Sequence, residues 1–217
     1  MDNWVYEAVL KLIEHYRSEW WGNDYTPFEI LVATILSQNT SDVNAQKAFS
    51  RLKEILGWIT PERILSTPED VLSDALKVAG LSRIKARRLK EISKILYDEY
   101  GGRFENLLQG DASIVRKRLL SLPGIGPKTA DVILAFVKGV PIIPIDTHIF
   151  TISKRWGLTK GRQNYEEVRK ILENLIPAEI RTKAHIALVE HGKRVCRARK
   201  PLCNLCPIEA LCPYPKF

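Results

Sequence analysis

The chain has 217 residues, 45% of them hydrophobic, and a formal net charge of +8 at pH 7. That length suits one large core or two small ones, and the apolar content is that of a globular protein, not of a disordered or membrane-embedded one. The charge predicts an acidic partner, whether nucleic acid, anionic lipid or acidic protein. Residues 1–9 carry acids where a signal peptide has basic residues and an apolar core. The apolar stretch 132–137 ends at Lys138, well short of a membrane span. A cytoplasmic chain with reduced thiols and no membrane partner is therefore expected.

In chain order, Val5, Val9, Leu12, Ile13 and Tyr16 mark an amphipathic N-terminal helix. Thr26-Pro27-Phe28-Glu29 reads as a capping box: a threonine to accept from an orphan N–H, proline at the first helical position, and a carboxylate three residues on. Thr60-Pro61-Glu62 and Thr67-Pro68-Glu69-Asp70 repeat that start signal. The run 30–36 predicts a nearly buried helix, ended by Ser37-Gln38-Asn39-Thr40, a polar turn. Gly80-Leu81 precedes five cations in eight residues, Arg83, Lys85, Arg87, Arg88 and Lys90. A solvated helix face explains them; an exposed Leu81 beside a basic helix also suits a wedge into stacked bases. Leu89, Ile92, Ile95, Leu96 and Tyr100 carry the helix on. Asp111 caps a helix through Val115, Leu119 and Leu120; Ile133, Leu134 and Val137 mark the next; Asn164 with Glu166 and Glu167 opens a later one. The chain reads as all-α with short connections.

Between two of these helices lies Leu122-Pro123-Gly124-Ile125-Gly126-Pro127-Lys128-Thr129-Ala130. Two glycines permit a tight turn with exposed N–H groups at a helix start, a combination that holds phosphate oxygens. Lys128 sits at the positive end of that helix, where the neutral, nucleophilic amine is favoured. A neutral lysine can form a Schiff base with an aldehyde, although spacing alone favours a plain surface lysine touching phosphate. Asp146, in Pro144-Ile145-Asp146-Thr147-His148, reads either as an N-cap or as a carboxylate serving Lys128; His148 reads as structural or phosphate-contacting. The only four cysteines follow as Cys196-x6-Cys203-x2-Cys206-x5-Cys212. Four thiolates suit structural zinc or an iron–sulfur cluster. Arg197, Arg199 and Lys200 lie in the first loop of this clamp, after Lys193 and Arg194, with no acid among the five. Rigidly displayed cations make a phosphate-binding device.

The hairpin with Lys128, the Asp146-Thr147-His148 segment 18 residues on and the cysteine spacing together resemble the endonuclease III family of helix–hairpin–helix DNA glycosylases, from about residue 5 to 214. The resemblance implies two helical lobes: residues 22–132, a six-helix lobe with the hairpin, and residues 1–21 plus 133–217, with a C-terminal [4Fe–4S] cluster loop. It implies a monomeric base-excision enzyme of the nucleoid. Such an enzyme binds double-stranded DNA containing damaged or mismatched bases or abasic sites, flips the base out, cuts its glycosidic bond and nicks by β-elimination. Lys128 matches the Schiff-base lysine, Asp146 the essential aspartate, Cys196, Cys203, Cys206 and Cys212 the cluster ligands, and Leu81 the wedge. The expected DNA contacts are Gly124, Gly126, Gln38, Asn39, Leu81, Arg83, Lys85, His148, Arg197, Arg199 and Lys200. Asn39 stands where typical bacterial members place glutamine, with Gln38 beside it, and Asp131 where they often have asparagine. Oxidised pyrimidines of the thymine glycol type are the expected substrate. A thymine or uracil glycosylase acting opposite guanine is the alternative, although such enzymes often have tyrosine at the lysine position. Thr34 stands where adenine glycosylases need a catalytic glutamate. A non-catalytic DNA-binding module, which borohydride would not trap on abasic DNA, is the alternative from another class.

Overall fold

The computed structural model describes residues 3–17, 22, 24–159 and 164–214. Residues 1–2, 18–21, 160–163 and 215–217, expected in the cluster lobe, lie outside that description. Among the described residues all regular structure is helical. The chain divides into a continuous unit, Gly22–Lys138, and a discontinuous one, Met1–Trp21 with Gly139–Phe217. The expected crossing after residue 132 would cut the helix Pro127–Phe136. The division falls beyond its end instead, because a helix packs as one hydrogen-bonded body.

The first helix, α1 (Asn3–Tyr16), belongs to the discontinuous unit. The continuous unit opens with α2 (Pro27–Leu36) and the expected capping box. Thr26 Oγ1 accepts from the Glu29 N–H at 3.2 Å, and Glu29 Oε2 accepts from the Thr26 N–H at 2.9 Å. Residues 28–36 are all buried, as a helix apolar on every side requires. Around it come α3 (Asp42–Leu56), α4 (Pro61–Ser66), α5 (Glu69–Ala75), α6 (Ser82–Tyr100), α7 (Phe104–Leu107), α8 (Ala112–Ser121) and α9 (Pro127–Phe136). Helices α3, α6, α7 and α9 touch α2, while α4 and α5 pack on α6.

Among the described residues of this unit eight α-helices, and a 3-10 turn at Lys77–Ala79, thus stand where six helices were expected. Two reasons account for the difference: the α4–α5 stretch breaks at Thr67-Pro68, and α7 is a single turn. Thr60 caps α4 as predicted, accepting from Arg63 N. Thr67 does not cap α5. Its hydroxyl donates back to Arg63 O at 2.7 Å, as its own N–H does at 3.2 Å, because Thr67 is the C-cap residue of α4 and its side chain turns back onto that helix. Pro68 then holds the N-cap position of α5 without a side-chain bond. Asp111 holds the N-cap position of α8 but makes no capping hydrogen bond, contrary to expectation.

In the discontinuous unit, α10 (Thr147–Arg155), α11 (Tyr165–Leu175) and α12 (Arg181–Arg194) join α1. Val5, Ala8, Val9 and Leu12 are fully buried in one core with Ile149 and Ile152 of α10, Leu172 of α11 and Leu188 of α12. Full burial of each valine or leucine contributes about 1.5–3 kcal/mol. Trp4 meets Trp156 edge to face, with centroids 5.4 Å apart. Asn164 caps α11 by accepting from Glu166 N and Glu167 N, as its sequence predicts.

Candidate functional site

The α8–α9 connection is a five-residue turn, residues 122–126. Gly124 has φ +74°, a conformation that disfavours any side chain, and a Cβ there would come within 2.6 Å of the Arg88 side chain. Gly126, the N-cap position of α9, has φ −96° and open space where its Cβ would be. It needs no glycine conformation; the missing side chain keeps its surroundings open. Pro127 and Lys128 form the first turn of α9, and Lys128 is partly exposed. Asp131, one turn on, is fully buried. Arg116 of α8 grips it with Nε to Oδ1 at 2.6 Å and Nη2 to Oδ2 at 3.3 Å. A bidentate pair of this kind joins the two hairpin helices, so this acid is committed to holding the turn rather than to reading a base.

Residues 37–40 follow α2 in the same unit. Gln38 does not point into open solvent. Its Nε2 donates to Gly124 O at 3.2 Å and to Thr129 Oγ1 at 3.3 Å, and its Oε1 accepts from Arg88 Nη1 at 3.2 Å. Asn39 is exposed, with φ +55°, a backbone state that asparagine tolerates better than most residues. Leu81, just before α6, is half exposed at 50% and left-handed at φ +50°. For leucine that is an uncommon and strained backbone state.

The cations after Leu81 do not act alike. Arg83 and Arg87 are exposed, and Lys90 donates to Leu65 O at 2.9 Å. Lys85, expected among the DNA contacts, is only 1% exposed and cannot touch DNA. Its Nζ donates to Leu36 O at 2.8 Å and Ala79 O at 2.9 Å. It thereby caps the C-terminus of α2, where a cation is favoured. Burial, with the charge of Arg88, holds its pKa below the usual lysine value.

In the discontinuous unit, Asp146 is the N-cap of α10, its Oδ1 accepting from Ile149 N at 2.8 Å. His148 lies against Gly192 of α12, where a Cβ would stand 2.5 Å from its own Cβ. Glycine at 192 is thus what allows the two helices to approach here. The four cysteines are half-buried, form no disulfide and line one pocket with Trp156 and His191. Burial pushes the Cys206 thiol up to about 11 and raises that of Cys196. Thiols so placed ionise only with a cation to offset them. Among the described residues no three His, Cys, Asp or Glu side chains are grouped as they would be around a single ion.

Several partners of this pocket carry no sequence signal. Arg155, at the end of α10, donates from Nη1 to Cys196 O at 2.9 Å and to Cys196 Sγ at 3.2 Å. Its Nη2 donates to Ala198 O at 3.1 Å. His191 places Nε2 3.9 Å from Cys206 Sγ and Nδ1 2.9 Å from the Tyr16 hydroxyl. Burial, then the charge of His15, lowers the His191 pKa to about 4, so its imidazole is neutral at pH 7. Arg197, Arg199 and Lys200 are exposed. Lys193 and Arg194 differ from them, each pairing with Glu190 one turn earlier.

Residues 32–178 match the HhH-GPD family, the "HhH-GPD superfamily base excision DNA repair protein". The hairpin and the lysine that follows it sit within that span. The chain is 37% identical to endonuclease III of Thermotoga maritima over 87% of its length and 83% of the relative's. It is 35% identical to endonuclease III of Sulfolobus acidocaldarius, over 96% and 95% respectively. A trapped endonuclease III–DNA covalent intermediate has the same fold, with a TM-score of 0.85, 30% identity, and 98% and 97% of the two chains covered. The chain belongs to the endonuclease III family of base-excision-repair DNA glycosylases. No helix among the described residues is long and apolar enough to cross a membrane.

Proposed function

We propose that this chain excises oxidised pyrimidines of the thymine glycol type from duplex DNA and nicks the resulting site by β-elimination through Lys128. The carrying observation is Lys128 itself, in the first turn of α9 beside the open Gly124–Gly126 turn. The likeness to an endonuclease III caught covalently on DNA supports it. The Lys128 amine attacks C1′ of the flipped nucleotide, and the glycosidic bond breaks as the new C–N bond forms. The amine's two protons pass to the departing base and to O4′ as the sugar ring opens to an imine. Loss of a C2′ proton then breaks the C3′–O bond. Asp146 assists with its second carboxylate oxygen, since Oδ1 holds the helix cap. Duplexes carrying thymine glycol, uracil or thymine opposite guanine, or an abasic site test the reading. Nicking of guanine mismatches alone would remove the oxidised-pyrimidine assignment.

Leu81 wedges the stack, and its strained backbone and exposure support that role. Phosphates are held by the backbone at Gly124 and Gly126, by Arg83 and His148, and by Arg197, Arg199 and Lys200. The protein works as a monomer on nucleoid DNA in the cytoplasm. Replacing Arg197, Arg199 and Lys200 with alanine should lower the slope of log K against log salt by roughly 0.9 for each phosphate left unneutralised. Fluorescence anisotropy across a salt series measures this. An unchanged slope removes the loop from the interface.

Cys196, Cys203, Cys206 and Cys212 would hold a [4Fe–4S] cluster. They share one pocket, Arg155 donates to Cys196 Sγ, and His191 Nε2 lies 3.9 Å from Cys206 Sγ. When bound, the cluster would fix the loop that displays Arg197, Arg199 and Lys200. Anaerobically purified protein should be yellow-brown, with about four irons per chain as four thiolates imply. One zinc and no colour would refute the assignment.

A further inference from the structure

Beyond the catalytic pair, the continuous unit contains a linkage that no motif announces. Gln38 and Arg88 are 50 residues apart in sequence and both reach the hairpin. Arg88 is a donor only, and Gly124 O is an acceptor only, so the orientation of the Gln38 amide is fixed by chemistry: Oε1 toward Arg88, Nε2 toward Gly124 O and Thr129 Oγ1. Arg88 approaches through space that only glycine leaves, since a Cβ on Gly124 would meet its Cδ and Nε at 2.6 Å. Both polar ends of the partly exposed Gln38 side chain are therefore bonded to the protein. The next residue, Asn39, is exposed and left-handed.

We propose that Arg88 and Gln38 form an internal brace between the α2–α3 turn and the hairpin, and that this brace presents Asn39, not Gln38, to the DNA strand opposite the lesion. Gln38 and Arg88 are then positioning residues, and Asn39 is the side chain that enters the gap left by the flipped base. The carboxamide of Asn39 is shorter than that of a glutamine, so its reach depends on how firmly the turn is held. The two hydrogen bonds from Nε2 tie that turn to Gly124 of the hairpin and to Thr129 of α9, beside Lys128, and the one to Oε1 ties it to Arg88 of α6. The inference rests on the reading of this face as the DNA-binding one.

Two measurements on the intact protein decide it. The first is hydrogen–deuterium exchange on free protein, which needs no DNA. Gln38→Met and Arg88→Met should speed exchange at the backbone amides of positions 37 and 38, which donate to Ala33 O and Ile35 O, by about tenfold if the brace contributes a typical local stability. Gln38→Glu keeps an acceptor for Arg88 but loses the Nε2 donors, and should speed exchange too. Unchanged exchange in all three variants overturns the brace. A melting temperature taken alongside shows that each variant is folded.

The second is binding to duplexes with a tetrahydrofuran abasic analogue opposite each of the four bases. Gln38→Met, Arg88→Met and Asn39→Ala should each flatten the opposite-base preference by roughly threefold to tenfold, the range set by one hydrogen bond. Adding Gln38→Met to Asn39→Ala should flatten it no further. If Gln38→Met weakens discrimination while Asn39→Ala does not, Gln38 itself meets DNA and the proposal fails. If the wild-type protein does not prefer the abasic duplex over undamaged duplex, the repair reading fails instead, and exchange still decides the brace.

Discussion

Lys128→Ala should abolish borohydride trapping on abasic DNA and slow strand nicking by at least about a thousandfold, the scale expected when a nucleophile and proton carrier is removed. DNA affinity and cluster absorbance should persist, because the residue lies on α9 of the continuous unit and the cysteines lie in the other. Asp146→Asn separates two roles held by one side chain. Asparagine caps a helix about as well as aspartate, so α10 should lose less than about 1 kcal/mol. The charge that serves the sugar disappears, and the rate should fall by about a hundredfold or more. Normal trapping by the Lys128→Ala variant would mean that the nucleophile is misassigned.

Lys85→Ala should cost the protein stability and leave its DNA binding alone. The substitution strands Leu36 O and Ala79 O, each costing about 1–3 kcal/mol when buried without a donor, and it opens a cavity. Relief of one desolvated charge offsets part of this. A net loss of about 3 kcal/mol should lower the melting temperature by about 6–12 °C for a chain of this size. Arg83→Ala and Arg87→Ala, at exposed positions, should stay within about 0.5 kcal/mol of wild type. A normal melting temperature with a flattened salt slope in Lys85→Ala would return this lysine to the DNA interface.

Lys85 also shows how sequence patterns mislead. In the run of five cations it looks like its neighbours, yet it stands in line with Leu89, Ile92 and Leu96, which are fully buried along α6. Its place in the 3.6-residue stripe was the readable sign, and the charge obscured it. Thr26 and Thr67 have nearly the same local sequence, and only Thr26 caps the helix that follows it. The difference is the carbonyl of Arg63, which a local pattern does not contain. The glycine turn, the place of Lys128 in the first turn of α9, the Asp146 cap and the grouping of the cysteines were legible because each follows from a short stretch of sequence. The Gln38–Arg88 link and the Arg155–Cys196 bond were not, since each joins residues 41 or more positions apart.

The packing of α1 against α12 has a consequence for the order in which the molecule is made. Val5, Val9 and Leu12 find their buried partners among residues 143–208, while residues 22–138 form a unit of their own. A ribosome releases the chain from its N-terminus, and units fold as they emerge. The middle of this protein can therefore settle while its first helix is still waiting with an apolar face uncovered. That helix docks only after Leu188 has left the tunnel, and the cysteine segment follows within a few residues. Closing the discontinuous unit and gathering the thiols then become one event, later than the folding of residues 22–138.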